Sequence, residues 1–210
     1  MDSIQVPSDW ATDIPDIQKE PLHYVFENMG LKHAPDKLWM EFGVYNGSTI
    51  SYISRFTNGT VYGFDTFTGL PEKWREGFDP GAFDLQGNMP TVPENVVLVK
   101  GLFQDTLVDF MNRQPSDTKI GFIHIDCDLY SATKYVLDTL HPYMDDTCVI
   151  VFDELVNYDT YETNGEYVAF YEYVTAHNMV KNRDYKWIGM NGRLGMYQCA
   201  HEKVAVVLYR

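Results

Sequence analysis

The chain has 210 residues, 45% of them hydrophobic, which is enough to bury one substantial core, so a single domain is predicted. Its 30 acidic and 16 basic residues give a formal net charge of -14, which excludes the basic face needed to bind a nucleic-acid backbone. No apolar stretch is long enough to span a membrane, and three cysteines without CxxC spacing predict neither a disulfide framework nor a zinc site.

These features predict a cytoplasmic protein without nucleic-acid or membrane partners. The N-terminus, MDSIQVPSDW, has neither a basic segment nor an apolar segment of the kind that directs secretion. A reducing compartment suits the odd number of cysteines. The sequence leaves open whether the chain forms a homo-oligomer.

The first predicted element is a helix in residues 21–30, PLHYVFENMG, where apolar side chains recur at helical spacing. Five short apolar runs then predict strands: KLWMEF (37–42), GTVYGF (59–64), NVVLVK (95–100), KIGFIHI (119–125) and TCVIVF (147–152). Helices are predicted between them, opening with the N-cap residues Ser48, Asp105 and Ser131. This alternation predicts an α/β fold with a doubly wound, mostly parallel sheet.

The end of the chain shows a different pattern. A helix is predicted in residues 165–178, followed by three strands in residues 185–190, 194–200 and 203–210. No helix separates these strands, so they are expected to pair antiparallel at one edge. Residues 1–36 are expected to form an N-terminal helical or lid segment ahead of a core in residues 37–210. The irregular stretch 66–93 is long enough to suggest a functional or mobile loop.

The first two strand ends carry a pattern that is typical of nucleoside binding. EFGVYNGST places Glu41, Gly43 and Gly47 before a helix that opens at Ser48, and such glycines let the backbone approach a ligand. Asp65 ends the second strand, at roughly the offset of about 20 residues where an acid accepts hydrogen bonds from ribose. An ordinary tight turn and a capping aspartate are the alternatives.

The fourth and fifth strands both end in acids. FIHID ends at Asp126, and VIVFDE ends at Asp153 and Glu154, so a parallel sheet brings these carboxylates to one rim. Such carboxylates repel one another unless a cation neutralises them, and oxygen ligands suit Mg²⁺. Asp128 lies just beyond the strand, where it could remove a proton from a substrate hydroxyl. The alternative is that these acids cap the following loops and helix.

Five segments, taken in this order, resemble the macrocin O-methyltransferase family: EFGVYNGST, GFDTFTGLPE, KGLFQDTL, FIHIDCDLY and VIVFDE. The resemblance covers about residues 37–170. It implies a class I methyltransferase fold and an enzyme that depends on S-adenosylmethionine (SAM) and Mg²⁺. It also implies that the acceptor is a sugar hydroxyl of a glycan or glycosylated natural product.

The resemblance also implies roles for individual residues. Those for the cofactor are Glu41, Gly43, Gly47 and Ser48 near the methionine end, Asp65 at the ribose, Gly101 and Phe103 near the adenine, and Asp126 beside them. Asp126, Asp153 and Glu154 would bind the metal, and Asp128 would be the general base. The family usually has a second aspartate where this chain has Glu154, so direct ligation by Glu154 is left open.

Two other functions use the same features. A NAD-dependent oxidoreductase would use the glycine-rich turn and Asp65 but gives no role to the acids of the fourth and fifth strands. A non-catalytic nucleotide- or metal-binding module would need the pocket but no base. The tyrosines of NYDTYETNGEYVAFYEY either stack on a sugar acceptor or pack in the core.

Overall fold

A computed structural model describes residues 5–32, 34, 36–192 and 201–209. Seven strands of this part of the chain form one sheet in the order β3-β2-β1-β4-β5-β7-β6. Their bounds are β1 Lys37–Phe42, β2 Val61–Asp65, β3 Val96–Lys100, β4 Lys119–Ile125, β5 Met144–Phe152, β6 Tyr185–Met190 and β7 Val204–Leu208. The first five strands pair in parallel, and β7 pairs antiparallel with both β5 and β6. The predicted α/β fold with an antiparallel C-terminal edge is therefore confirmed.

The helices lie where the sequence predicts them, although their starts differ. They are α1 Pro21–His23, continued by a π-helical turn Tyr24–Asn28, and α2 Ser48–Ile53, α3 Phe103–Asn112, α4 Tyr130–Leu140 and α5 Glu166–Ala176. The prediction that Ser48, Asp105 and Ser131 are N-caps is wrong, because the N-cap positions are Gly47, Leu102 and Leu129. At α2 the capping acceptor is Asn46, whose Oδ1 accepts from the backbone N–H of Ser48 at 3.0 Å.

Two hydrophobic clusters cover the faces of the sheet. One contains Phe42, Phe64 and Ile125 with residues of α3, α4 and α5, and the other contains Trp39 and Phe122 with residues of α2 and the N-terminal helix. Strands buried on both faces explain the near-continuous apolar runs in the sequence. The strand predicted in residues 194–200 lies outside the described residues. Within the described part of the chain, no helix has the length and apolar composition needed to cross a bilayer.

Strand order reverses between β1 and β4, which are neighbours whose crossovers run to opposite sides of the sheet. Ligands of open α/β sheets bind in the crevice at such a point, beyond the carboxyl ends of the strands. The loop 66–93 lies on this side and is held by its own backbone hydrogen bonds. The N–H of Leu70 donates to the carbonyl of Ala82 at 2.9 Å, and the N–H of Gly87 donates to the carbonyl of Phe67 at 2.7 Å.

Candidate active site

A cavity of about 440 Å³ opens at the carboxyl ends of β1, β2, β4 and β5. Its lining comes from the β1–α2 turn, the loop 66–93, the start of α3, the β4–α4 turn and the residue after β5. Among the predicted site residues, those that line it are Gly43, Ser48, Asp65, Phe103, Asp126, Asp128 and Glu154. The fold therefore brings most of the predicted cofactor and acid residues to one space.

Gly43 allows the β1–α2 turn to lie against the end of β4. Its φ is +89°, and a Cβ at this position would lie 1.6 Å from the backbone oxygen of Asp126. A side chain is excluded here by both the backbone conformation and the contact. The contact fixes the glycine-rich turn beside the acids that follow β4.

Asp65 holds the same turn from the other side. Its Oδ2 accepts from the backbone N–H groups of Val44 and Tyr45, both at 2.8 Å, and its Oδ1 accepts from the N–H of Phe67 at 2.7 Å. A carboxylate oxygen has two acceptor positions, so Oδ1 keeps one for a ligand hydroxyl. Asp65 thus shapes the turn as well as facing the cavity.

Three of the predicted cofactor residues and one predicted metal ligand are not among the residues that line the cavity. Gly47 and Gly101 have φ values of +79° and +143°, so they shape the backbone beside it. Glu41 is fully buried, with Oε1 2.9 Å from Nδ1 of His124. Asp153 also points into the interior, where Lys203 contacts its Oδ1.

Asp128 lies at the centre of a tight turn. The N–H of Leu129 donates to the carbonyl of Cys127 at 2.6 Å, and the φ of Asp128 is +63°. A non-glycine residue at this φ in a three-residue turn is strained, and such strain is concentrated at functional sites. The N-cap residue of α4 is Leu129, and among the described residues the Asp128 carboxylate accepts no N–H of this helix, so the structure does not assign Asp128 the capping role.

Asp126, Asp128 and Glu154 converge, with one oxygen of each lying within 4.8 Å of the others. Burial, together with the charge of Asp153, raises the pKa of Asp128 to about 7. Burial and the neighbouring carboxylates also raise the pKa values of Asp126 and Glu154 well above their ordinary ranges. The carboxyl groups hence hold protons that they would lose in water, unless a cation is present.

These carboxyl groups fit a hard divalent cation. Oε2 of Glu154 is buried and has no hydrogen-bond partner among the described residues, which is a free ligand position. Oxygens that bind one octahedral ion at about 2.1 Å lie about 3.0–4.2 Å apart. Oxygens within 4.8 Å of one another can reach such an ion with small side-chain movements. Glu154 therefore reaches the other acids despite its longer side chain. A second group, His124, Asp126 and Asp153, meets the same 4.8 Å limit.

A row of four largely buried, interacting side chains lies behind the cavity, and two of them, His124 and Lys203, were not predicted from the sequence. It runs from Glu41 through His124 to Asp153 and Lys203, with Nε2 of His124 3.3 Å from Oδ1 of Asp153. Burial opposes the charge on His124, but contacts with Asp153 and Glu41 raise its pKa to about 10. Burial would raise the pKa of Asp153, but His124 and Lys203 lower it below the usual range.

The sequence contains a signal for both His124 and Lys203, but each signal is ambiguous. His124 interrupts the apolar run of β4, and Lys203 precedes the apolar run of β7. Neither pattern tells which strands become neighbours. Only the pairing of β4 with β5, and of β5 with β7, brings these residues to Asp153.

The loop 66–93 supplies the wall of the cavity that faces away from the sheet. The wall includes Trp74 and Arg75, with the guanidinium carbon of Arg75 3.9 Å from the centre of the Trp74 ring. Glu72 accepts a hydrogen bond from the hydroxyl of Ser131 at 2.6 Å, which ties the loop to the start of α4. The sequence indicated a functional loop here but not its aromatic and cationic residues.

Comparison with known proteins places this site in a family. Residues 40–155, more than half of the chain, match the family described as "Methyltransferase domain". No curated protein sequence matches the chain. The structure resembles that of the calicheamicin methyltransferase CalS11, with 24% identity, a TM-score of 0.61, and coverage of 82% of this chain and 72% of that one.

Other solved structures have the same fold. The O-methyltransferase NovP is 20% identical, with a TM-score of 0.56 and coverage of 90% of this chain and 76% of that one. An O-methyltransferase from Bacillus cereus in complex with SAH is 15% identical, with a TM-score of 0.55 and coverage of 95% and 86%. These matches show the broad methyltransferase family and do not distinguish the macrocin O-methyltransferase family within it. The chain belongs to the methyltransferase domain family.

Proposed function

We propose that the chain is a SAM- and divalent-metal-dependent O-methyltransferase that acts on a sugar hydroxyl. One observation carries the proposal: Asp126, Asp128 and Glu154 converge in the same cavity as the Gly43 turn and Asp65. A nucleoside-type site and an acid cluster that share one space can hold a methyl donor beside a hydroxyl acceptor. An oxidoreductase would leave the acid cluster without a role.

The structural relatives support the same chemistry. CalS11 is described as a TDP-rhamnose 3'-O-methyltransferase, with a TM-score of 0.53 in its apo form. TomG, an O-methyltransferase from Streptomyces achromogenes, was solved in complex with SAM and has a TM-score of 0.52 against this chain. By analogy with these proteins, we assign SAM as the methyl donor and a sugar as the acceptor.

In this proposal the residues around the cavity hold the reactants. The Gly43 turn and the remaining acceptor position of Asp65 would bind the nucleoside part, and Phe103 would lie beside the base. SAM supplies a methyl group on a sulfonium, and its transfer to oxygen breaks the carbon–sulfur bond and leaves the electron pair on sulfur. A sugar hydroxyl is a weak nucleophile at neutral pH, so alignment and proton removal remain for the protein.

Asp128 is proposed to take the hydroxyl proton. Its pKa of about 7 suits a group that must be ionised to accept a proton near neutral pH. Asp126 and Glu154 would hold a divalent ion such as Mg²⁺, with Asp153 behind them. When bound, such an ion lowers the pKa of a coordinated hydroxyl and neutralises the carboxylates.

The test compares conservative variants of two neighbouring acids. Asp128→Asn keeps the size of the side chain but removes its basicity, so methyl transfer should fall by about 100-fold or more. SAM affinity, measured by calorimetry, should be unchanged. Asp126→Asn should weaken Mg²⁺ binding itself, and Asp117→Asn, an exposed change just before β4, should alter neither property.

Metal and cofactor controls complete this experiment. Methyl transfer to a panel of sugar glycosides should stop with EDTA and return with Mg²⁺. Thermal stability should rise with SAM and not with NAD. A rise with NAD alone would favour the oxidoreductase, and Asp128→Asn transferring methyl groups at close to the parent rate would remove Asp128 as the base.

A further inference from the structure

Trp74 has an unsatisfied hydrogen-bond donor at the cavity. The residue lines the cavity wall and is only 7% exposed, yet its indole Nε1–H has no acceptor among the residues that the structure describes. Buried indole N–H groups normally have a partner, because leaving one unpaired is destabilising. Trp74 lines the cavity, so a small rotation of its side chain would bring this enclosed N–H to an acceptor oxygen of a ligand there.

Arg75 is fixed next to this donor. Its guanidinium stacks on the Trp74 ring, and its Nη1 donates to Oε2 of Glu202 at 3.2 Å. The carbonyl of Glu202 in turn accepts the N–H of Leu155 at 2.9 Å, so the loop is tied to the chain that leaves β5. Among the described residues, this is the hydrogen bond that the Arg75 guanidinium makes, so its other N–H groups can donate to a ligand.

The charge of Arg75 is balanced, which decides what kind of ligand fits. Glu202 is 7% exposed and compensates the guanidinium charge. The opposite side of the cavity carries Asp65, Asp126, Asp128 and Glu154. Four carboxylates outnumber the charge of one divalent cation, so the cavity stays negative even with that cation bound. An anionic ligand is therefore disfavoured, whereas a neutral hydroxyl compound would meet only donors and acceptors.

Aromatic rings continue the wall beyond Trp74. Phe78 lies 5.0 Å from Trp74, Phe83 lies 5.5 Å from Phe78, and Tyr45 lies 5.5 Å from Phe83 between ring centroids. Phe83 and Tyr45 are 38% and 43% exposed, so their surfaces are accessible at the mouth of the cavity. Apolar ring surfaces beside polar donors suit a sugar, which has both C–H faces and hydroxyl groups.

We infer that Trp74 and Arg75 form the acceptor subsite, which takes an uncharged, polyhydroxylated ring. The indole N–H of Trp74 donates to one acceptor oxygen, and the free guanidinium N–H groups donate to another. Arg75 and Glu202 together make the subsite neutral and so select against acidic sugars. This inference rests on the proposed methyl transfer, since it names the partner that would lie opposite Asp128.

Nuclear magnetic resonance of the indole N–H groups tests the inference directly. The full chain contains four tryptophans, and Trp74→Phe identifies the Trp74 signal. Two glycosides that differ only at C6 serve as probes, methyl α-D-glucopyranoside and its glucuronoside, added to protein saturated with SAM and Mg²⁺. The glucopyranoside should move the Trp74 signal. It should leave the Trp10 signal unchanged, because Trp10 already donates to Tyr185 at 3.0 Å.

Two variants make the test specific. Trp74→Phe keeps an aromatic ring and should weaken glucopyranoside binding by up to about tenfold, the value of one hydrogen bond, while SAM affinity is unchanged. Glu202→Gln leaves Arg75 with an uncompensated charge and should raise the affinity for the glucuronoside relative to the glucopyranoside by about tenfold or more.

The results separate failure of the subsite from failure of the proposed function. If SAM binds but neither glycoside moves the Trp74 signal, the subsite is refuted and the methyl-donor site stands. Tighter binding of the glucuronoside to the parent protein would overturn the assignment of an uncharged acceptor. If SAM itself does not bind, the proposed function fails, and the subsite assignment fails with it.

Discussion

Replacing Lys203 by methionine should destabilise the protein strongly. Lys203 contacts Asp153, and the two side chains are only 21% and 12% exposed. Methionine keeps much of the length and apolar surface of lysine but removes the ammonium group, so Asp153 would lose its nearest cation. An uncompensated buried charge is the costly outcome when one partner of such a pair is removed.

The size of the effect follows from what remains around Asp153. Breaking a buried ion pair costs about 3–5 kcal/mol. His124 stays 3.3 Å from Asp153 and its pKa is raised to about 10, so it still carries charge at neutral pH. We therefore expect a loss near the lower limit, about 3 kcal/mol, which corresponds to a decrease in Tm of about 6–12 °C for a chain of this size.

Urea unfolding at pH 7 without metal measures this loss, with Lys186→Met as the matched control. Lys186 is exposed on β6, and its replacement should change stability by less than about 0.5 kcal/mol. The double variant Lys203→Met/Asp153→Asn should recover most of the loss, because it removes both charges. If Lys203→Met is as stable as Lys186→Met, Asp153 does not depend on Lys203 and the reasoning is refuted.

Three further predictions concern the same region. Gly43→Ala should lower the free energy of unfolding by more than about 4 kcal/mol or prevent folding, because its Cβ would lie 1.6 Å from a backbone oxygen. Gly77→Ala, at a φ of +85° but with no atom within 4 Å of its Cβ, should lower the free energy of unfolding by only about 1–2 kcal/mol. Asp65→Asn should lower stability and SAM affinity together, since both oxygens of Asp65 accept backbone N–H groups and the amide nitrogen that replaces one of them cannot; unchanged stability would contradict this. Without metal, stability should decline as the pH rises from about 4, the ordinary pKa of an aspartate, to about 7, because burial raises the pKa of Asp128 to about 7 and also raises those of Asp126 and Glu154. The stability that their retained protons supply is lost over this range, and Mg²⁺ should reduce the loss; a flat urea-unfolding profile would contradict it.

The sequence predicted the fold well because each element carries its own signal. The parallel strands are buried on both faces, so they appear as uninterrupted apolar runs, as in KIGFIHI for β4. Helix starts were less predictable. The sequence suggested Ser48 as an N-cap, but Asn46 provides the acceptor two residues earlier, and a side chain's local hydrogen bond cannot be predicted from residue type alone.

The acids at the strand ends were predictable for a related reason, since parallel strands bring their carboxyl ends to one rim. What could not be predicted is the direction of each side chain. Asp153 and Glu154 are adjacent, yet Glu154 lines the cavity and Asp153 contacts Lys203 in the interior. The choice depends on β7, which lies beside β5 although it is about 50 residues away in the chain. Long-range partners of this kind leave no local pattern.

The buried carboxyl groups that form the candidate binding site also repel one another and so lower the stability of the fold. Glu166 lies beneath the cavity, with Oε2 accepting from the N–H of Glu154 at 3.2 Å and Oε1 without a partner among the described residues. Burial and the charges of Asp128 and Asp126 raise its pKa well above the ordinary range. The fold thus keeps several carboxyl groups close together that would separate in an unfolded chain.

Lys203 and His124 relieve this repulsion mainly on the interior side, where both contact Asp153, although their charges also lower the pKa of Asp126. On the cavity side, no cation among the described residues contacts Asp126, Asp128 or Glu154. Arg75 lowers the pKa of Asp128 by its charge but is itself paired with Glu202. A ligand that brings positive charge to that side binds the folded chain more tightly than the unfolded one, and so it stabilises the fold by the free energy of its binding. The acids are therefore prearranged for such a ligand at the expense of stability in its absence, which is the usual relation between a functional site and its scaffold.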